Sequence, residues 1–147
     1  APQLKTGRIP ASNLNEAIEF SSKLNAYINS PIKGAWKNTI ILVSDDEIKN
    51  SSSIQSEIRH TEYSNSIYNK MFDLSFVKTL YGPMYEGDYS TGERRLPELT
   101  SDIISNLNSG AAIINYIGHG DSETWAGEKL LSKSRDLLSM ALINSVT

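Results

Sequence analysis

The chain has 147 residues, a hydrophobic fraction of 39% and a formal net charge of −3 at pH 7. That length is sufficient for one packed domain. Its charges are dispersed without a Lys/Arg cluster, which argues against nucleic acids and anionic membrane surfaces as partners. No apolar run approaches the ~20 residues of a membrane-spanning helix. The absence of cysteine excludes disulfide bonds and cysteine-ligated metals within these residues.

The first half of the chain predicts helix, strand and helix in that order. Apolar residues at helical spacing over 14–28 predict a helix that Ser12 or Asn13 caps and Pro31 ends. Residues 38–43 form an apolar, β-branched run typical of a buried strand. A second helical face is predicted from the following residues: Ile54, Ile58, Thr61, Asn65, Tyr68 and Phe72.

The second half continues this alternation. Residues 76–81 predict a strand, and the loop at 82–96 has a length associated with function. Pro97 at the first helical position and Gly110 just past the last one bound a third helix. A strand over 111–117 follows, and a last helix is predicted over about 134–144.

Alternating strands and helices predict an α/β fold, in which a parallel sheet carries helices on both faces and the crossovers are right-handed. The carboxyl ends of the three strands then lie along one edge. The acidic residues after the first strand, the long loop after the second and His119 after the third share that edge. This convergence is what an active-site cleft requires.

His119 is the strongest candidate for a catalytic residue. It ends a β-branched strand and lies between Gly118 and Gly120, which permit a sharp turn and leave backbone N–H groups accessible. The other histidine, His60, has no neighbouring ligand set in the sequence, and no HExxH pattern is present, so a zinc site is not predicted.

Two further features each have two interpretations. Asp45, Asp46 and Glu47 offer the clustered oxygens that calcium prefers, but without the alternating spacing of a dedicated calcium loop, so a solvated strand end is the alternative. Trp125 is either a packing residue that supports the His119 loop or part of a substrate pocket.

The histidine segment, residues 115–120 with Ser122 to Trp125 behind it, resembles the catalytic-histidine segment of the gingipain family of cysteine peptidases. Other segments are similar to one branch of that family, the PorU-type sortases of the type IX secretion system: residues 7–10, Trp36 with the strand ending in Asp45, residues 91–97, residues 125–131 and residues 142–144. The resemblance covers nearly the whole chain and implies a caspase-like fold.

The resemblance also implies a mechanism. A cysteine thiolate attacks the substrate while His119 takes the thiol proton and later returns one to the leaving amine. A backbone N–H of Gly118 or Gly120 contributes to the oxyanion hole. In the family, an acid early in a helix supports the histidine. The matching stretch is 58–62, where Glu62 lies one place late, so Glu62 is either that acid or a solvated helix residue.

The family's nucleophilic cysteine lies on the strand after the final helix, and these residues contain no cysteine. We therefore expect residues 1–147 to be the amino-terminal part of a peptidase domain, ending before the nucleophile strand and inactive alone. By the length of a typical strand, the cysteine should fall within roughly ten residues of Thr147.

The resemblance implies polypeptide substrates with carboxyl-terminal sorting domains, and the remainder of the peptidase domain as a partner. It implies an enzyme that is secreted or held at the outer membrane or cell surface, with no required cofactor and calcium as an optional structural ion. The alternative is a non-catalytic, peptidase-like binding module of a cell-surface protein. A dinucleotide fingerprint is disfavoured because Glu123 replaces the third glycine.

Overall fold

A computed structural model describes residues 9, 11–29, 33–46, 59–132 and 134–136, which divide into two units between residues 33 and 34. The first unit contains helix α1 (Leu14–Asn29). The Asn13 side chain accepts the Glu16 N–H at 3.0 Å, and the Glu16 carboxylate accepts the Ser12 N–H at 2.7 Å. These reciprocal bonds satisfy N–H groups that a helix start leaves unpaired, which confirms Asn13 as the cap.

The second unit contains a parallel three-stranded sheet. Its strands are β1 (Thr39–Ser44), β2 (Phe76–Tyr81) and β3 (Ile113–Ile117), in the spatial order β2-β1-β3. Helix α2 (Arg59–Met71) precedes β2, and helix α3 (Pro97–Ser109) precedes β3. A short antiparallel pair, β4 (Thr124–Trp125) and β5 (Leu131–Ser132), follows. The predicted α/β fold is confirmed, and the strand bounds differ from the predictions by at most two residues.

The two helices cover opposite faces of the sheet. All six positions of β1 are buried, because successive side chains of a strand point to opposite faces and both faces are covered. One face packs against α3 through a cluster that includes Ile41, Val43, Leu80, Leu99 and Ile103. The other packs against α2 through a cluster that includes Ile40, Leu42, Tyr81, Ile67 and Tyr68. The predicted coverage of both faces is thus confirmed.

The bounds of α3 are those predicted from Pro97 and Gly110. Pro97 occupies the first turn, where its missing N–H leaves no hydrogen bond unmade. Gly110 ends the helix with φ 88°, a conformation that favours glycine, and its N–H donates to the Leu107 carbonyl at 3.0 Å.

The predicted buried face of α2 is partly wrong. Phe72 is 50% exposed and Asn65 is exposed, whereas Ser64 is fully buried. A small serine fits where the helix lies close to the sheet. The side of α2 that faces the sheet therefore differs from the side that its hydrophobic residues predict. Near the start of the described helix, the Thr61 hydroxyl lies 3.1 Å from that of Ser44, at the end of β1.

The strand register brings the three carboxyl ends level. Ser44 pairs with Tyr81 on one side and with Ile117 on the other. The next residues of the outer strands, Gly82 and Gly118, therefore lie beside Asp45 at one edge. Beyond position 136, the predicted last helix lies outside the described residues. Pro31, Glu47 and the part of the predicted second helix before Arg59 also lie outside them.

Candidate active site

A buried carboxylate and a half-exposed imidazole meet at this edge. Asp45 has 3% of its side chain exposed, and His119 has 53%. Asp45 Oδ2 lies 3.2 Å from His119 Nδ1 and also accepts the His119 backbone N–H at 3.2 Å. Asp45 Oδ1 accepts the N–H of Asp46 at 2.8 Å. An ionised carboxylate only accepts hydrogen bonds, so this contact favours the neutral tautomer in which Nδ1 carries the proton and Nε2 has the lone pair.

The backbone of His119 is held by the residues around it. The Tyr116 hydroxyl donates to the His119 carbonyl at 2.5 Å, and the Ala126 N–H donates to the same oxygen at 2.8 Å. Burial, together with the negative charge of Asp45, raises the pKa of Tyr116, so the phenol stays a donor. Its ring stacks on Trp125 with 4.4 Å between centroids. Trp125 therefore supports the loop through Tyr116, and its place in a substrate pocket stays a prediction.

The two glycines differ in what surrounds them. A side chain at Gly118 would collide with the Tyr116 hydroxyl and with Cβ of Asp45, so glycine alone fits between them. Gly120 is exposed and forms a β-bridge with Trp125. Because Asp45 already accepts the N–H of His119, that amide is engaged, and a backbone N–H of Gly118 or Gly120 as an oxyanion donor stays a prediction.

A buried ion-pair network lies behind Asp45. Arg94 contacts Asp46 at 2.5 Å and Glu128 at 3.0 Å, and each of these side chains is at most 9% exposed. Burial opposes the charge of Arg94, but the two carboxylates raise its pKa overall. Burial, followed by the nearby charges of Asp45 and Asp46, raises the pKa of Glu128. The network joins the end of β1, the long loop before α3 and the segment between β4 and β5.

His60 lies beside His119, with ring centroids 5.0 Å apart and planes at 74°. Asp45, His60 and His119 each offer one ligand atom within 4.8 Å of the others. His60 has no ligand set beside it in the sequence, but the fold places Asp45 and His119 next to it. Asp45 directly follows β1, His60 lies on α2 and His119 lies in the loop after β3, so only the fold brings them together.

The structure describes Glu62 and two of the three acidic residues predicted to bind calcium, Asp45 and Asp46. Glu62 is exposed in the first described turn of α2, and the carboxylate that contacts His119 belongs to Asp45. Glu47 lies outside the described residues. Asp45, Asp46 and Glu128 offer three clustered oxygens, but Arg94 already pairs with two of these carboxylates. The catalytic role of Glu62 and the binding of calcium stay predictions.

The fold and the site define an α/β protein of the caspase-like type, with a histidine at the carboxyl edge of its parallel sheet. The family model of peptidase family C25 matches residues 1–145, and the chain belongs to this family, the gingipain family of cysteine peptidases. Comparison with curated proteins and with solved structures gave no significant match. Within the described residues, no helix is long and apolar enough to cross a membrane.

Proposed function

We propose that this chain contributes the general base of a cysteine endopeptidase, with His119 as that base. The nucleophilic cysteine comes from polypeptide outside these 147 residues, which contain none. The observation that carries the proposal is the contact between the buried Asp45 carboxylate and Nδ1 of a half-exposed His119 at the carboxyl edge of the sheet. Membership of a cysteine-peptidase family supports the same chemistry.

In the proposed reaction, Nε2 of His119 takes the proton of the cysteine thiol, and the thiolate attacks the scissile carbonyl carbon. The backbone N–H of Gly118 or Gly120 stabilises the resulting oxyanion. His119 then protonates the leaving amine as the thioester forms. A water molecule or an amine acceptor next attacks the thioester while His119 accepts its proton, and the thiol is regenerated.

Asp45 acts in this proposal as a positioning residue. It fixes the proton on Nδ1 and stabilises the imidazolium that forms when Nε2 accepts a second proton. Its burial and its second bond to the His119 backbone favour it over Glu62, whose side chain is exposed. Glu62 is retained as a weaker alternative for the same role.

The finer assignment is a sortase that cleaves carboxyl-terminal sorting signals at the outer membrane or cell surface. Its support is the similarity of residues 7–10 and 91–97 to PorU-type sequences. On this assignment the substrate pocket is the alternative role of Trp125, beside its support of the His119 loop, and the carboxylates after β1 are the site of an optional calcium ion. The second candidate function, a peptidase-like binding module, predicts no catalytic cysteine in the polypeptide beyond these residues.

The test is peptide hydrolysis by the full-length protein and by its His119→Ala variant. We expect the substitution to reduce kcat/KM by roughly 10³-fold or more while the circular dichroism spectrum is unchanged. Near-normal turnover in the variant would show that His119 is not the base. Complete absence of hydrolysis in the wild type, with no downstream cysteine, would favour the binding module.

A further inference from the structure

The contact between His60 and His119 has no part in the proposed acyl transfer. His60 is half-buried on α2, and its ring meets that of His119 edge to face. Asp45 completes the group from the end of β1, so three separate elements place two imidazoles and one carboxylate within 4.8 Å. Such a set of ligands is typical of transition-metal sites in proteins.

The geometry is close to what a tetrahedral metal requires. Bonds of about 2.1 Å from zinc to nitrogen and oxygen place neighbouring ligand atoms about 3.4 Å apart. Asp45 Oδ2 and His119 Nδ1 are already 3.2 Å apart. All three ligand atoms lie within 4.8 Å of one another, so side-chain movements of about 1.4 Å or less separate them from that spacing, and the His119 ring is 53% exposed.

We propose that Asp45, His60 and His119 form a zinc-binding site that reversibly inhibits the peptidase. The zinc-binding part is independent of the proposed function, whereas the inhibitory part rests on it. Two neutral imidazoles and a carboxylate suit zinc, a borderline-soft ion. Calcium prefers six to eight oxygen ligands and is disfavoured by the two nitrogens.

Inhibition follows from which lone pair the metal occupies. When zinc binds Nδ1, the imidazole proton moves to Nε2, which then has no lone pair to accept the thiol proton. When zinc binds Nε2, it occupies the base's lone pair directly. In both cases His119 ceases to act as a base, and removal of the metal restores it.

The competing explanation for any zinc inhibition is a metal bound between the catalytic thiolate and His119. That arrangement needs neither His60 nor a position on α2. Substitution of His60 therefore separates the two explanations, and Asn65→Ala is the matched control because Asn65 is exposed on the same helix.

The first experiment measures zinc affinity of the full-length protein by competition with a chromophoric chelator. We expect His60→Asn and Asp45→Asn each to weaken binding by roughly tenfold or more, since they remove a ligand, and Asn65→Ala to leave it unchanged. Wild-type affinity in a folded His60→Asn variant would overturn the proposal. Should that variant not fold, wild-type affinity in Asp45→Asn would overturn it equally. This readout does not require peptidase activity, so it also holds if the proposed function fails.

The second experiment measures inhibition, with each variant compared with its own metal-free activity. We expect zinc to inhibit the wild type, a chelator to reverse this, and His60→Asn to require roughly tenfold more zinc. Equal inhibition of both would assign the metal to the thiolate. The cobalt-substituted wild type should show visible ligand-field bands without a sulfur-to-metal charge-transfer band, and the appearance of that band would also overturn the proposal.

Discussion

Asp45 lies 3.2 Å from Nδ1 of His119, although 74 positions separate the two residues in the chain. The contact results from strand register: β1 and β3 are parallel neighbours, and Ser44 pairs with Ile117, the residues just before the turns into the site. A carboxylate at the end of the central strand is thus placed beside the histidine of the adjacent strand. Gly118 directly follows Ile117, so the same register places it against Asp45.

The first prediction concerns the charge of Asp45. Asp45→Asn retains the size of the side chain but removes its negative charge and replaces one acceptor oxygen with an NH2 donor, which favours the tautomer with the proton on Nε2 when it faces Nδ1. We expect kcat of the full-length enzyme to fall by roughly 10²–10⁴-fold with little change in KM, because the tautomer with a free Nε2 is no longer favoured. Steady-state kinetics on a peptide substrate measure this effect.

Glu62→Gln is the control for Asp45→Asn. Glu62 is exposed on α2, so we expect a change of less than about threefold in kcat, which corresponds to less than about 0.7 kcal/mol in the activation free energy. If Glu62→Gln instead reduced kcat as strongly as predicted for Asp45→Asn, the acid predicted from the family resemblance would be the partner of His119.

The second prediction concerns Gly118. In Gly118→Ala the added methyl group would meet the Tyr116 hydroxyl and Cβ of Asp45, both of which hold His119. We expect a loss of about 1–3 kcal/mol in the free energy of unfolding, by overpacking, together with a large decrease in kcat. Gly127→Ala is the matched control, because nothing lies within 4 Å of its added methyl group. Equal stability of the two variants in urea unfolding would contradict this packing argument.

Much of the fold could be predicted because each signal was local. The apolar run of β1 reflects burial on both faces, and Pro97 and Gly110 mark the ends of α3 through their own backbone preferences. Gly118 and Gly120 likewise indicate, through their backbone freedom, a sharp turn at His119. The stripe of α2 was less predictable, since a buried serine carries no hydrophobic signal.

The polar partners in the site were not predictable by the same reasoning. Arg94 lies between Glu93 and Arg95 in the sequence, where it has the appearance of a solvated charge. Its burial between Asp46 and Glu128 depends on three segments that meet only in the folded protein. The proximity of His60 to His119 likewise depends on how α2 packs across the sheet.

The third prediction concerns Arg94. Arg94→Met leaves two carboxylates buried without their cation, so we expect a loss of about 3–5 kcal/mol in the free energy of unfolding. Lys70→Met is the control, because Lys70 is exposed in the last turn of α2 and a surface substitution there should change stability by about 0.5 kcal/mol or less. Urea unfolding of the two variants measures the difference. A similar small loss for both would mean that the buried network contributes little to stability.

The fourth prediction distinguishes the two interpretations of Trp125. Trp125→Leu removes the ring that stacks on Tyr116, and an aromatic pair contributes about 0.5–1.5 kcal/mol beyond burial. If Trp125 acts through the His119 loop, kcat falls while KM is unchanged, and this is the result we expect. A rise in KM at constant kcat would instead place Trp125 in the substrate pocket.

The last prediction concerns the pH dependence of stability at the Tyr116 phenol. Burial, followed by the charge of Asp45, raises its pKa in the folded protein above the ordinary value of 10.0. The folded state therefore keeps this proton more tightly than the unfolded chain does. The resulting stability is fully present below pH 10.0 and is lost as pH rises from there through the folded pKa. Tyr116→Phe should flatten the decline in stability above that pH in urea unfolding.

Asp45→Asn should lower the pKa of Tyr116, because it removes a negative charge that opposes ionisation, and ultraviolet titration of the phenolate measures this shift. Ionisation of Tyr116 at its ordinary pH in the folded wild type would contradict both its burial and its role as the donor that holds His119.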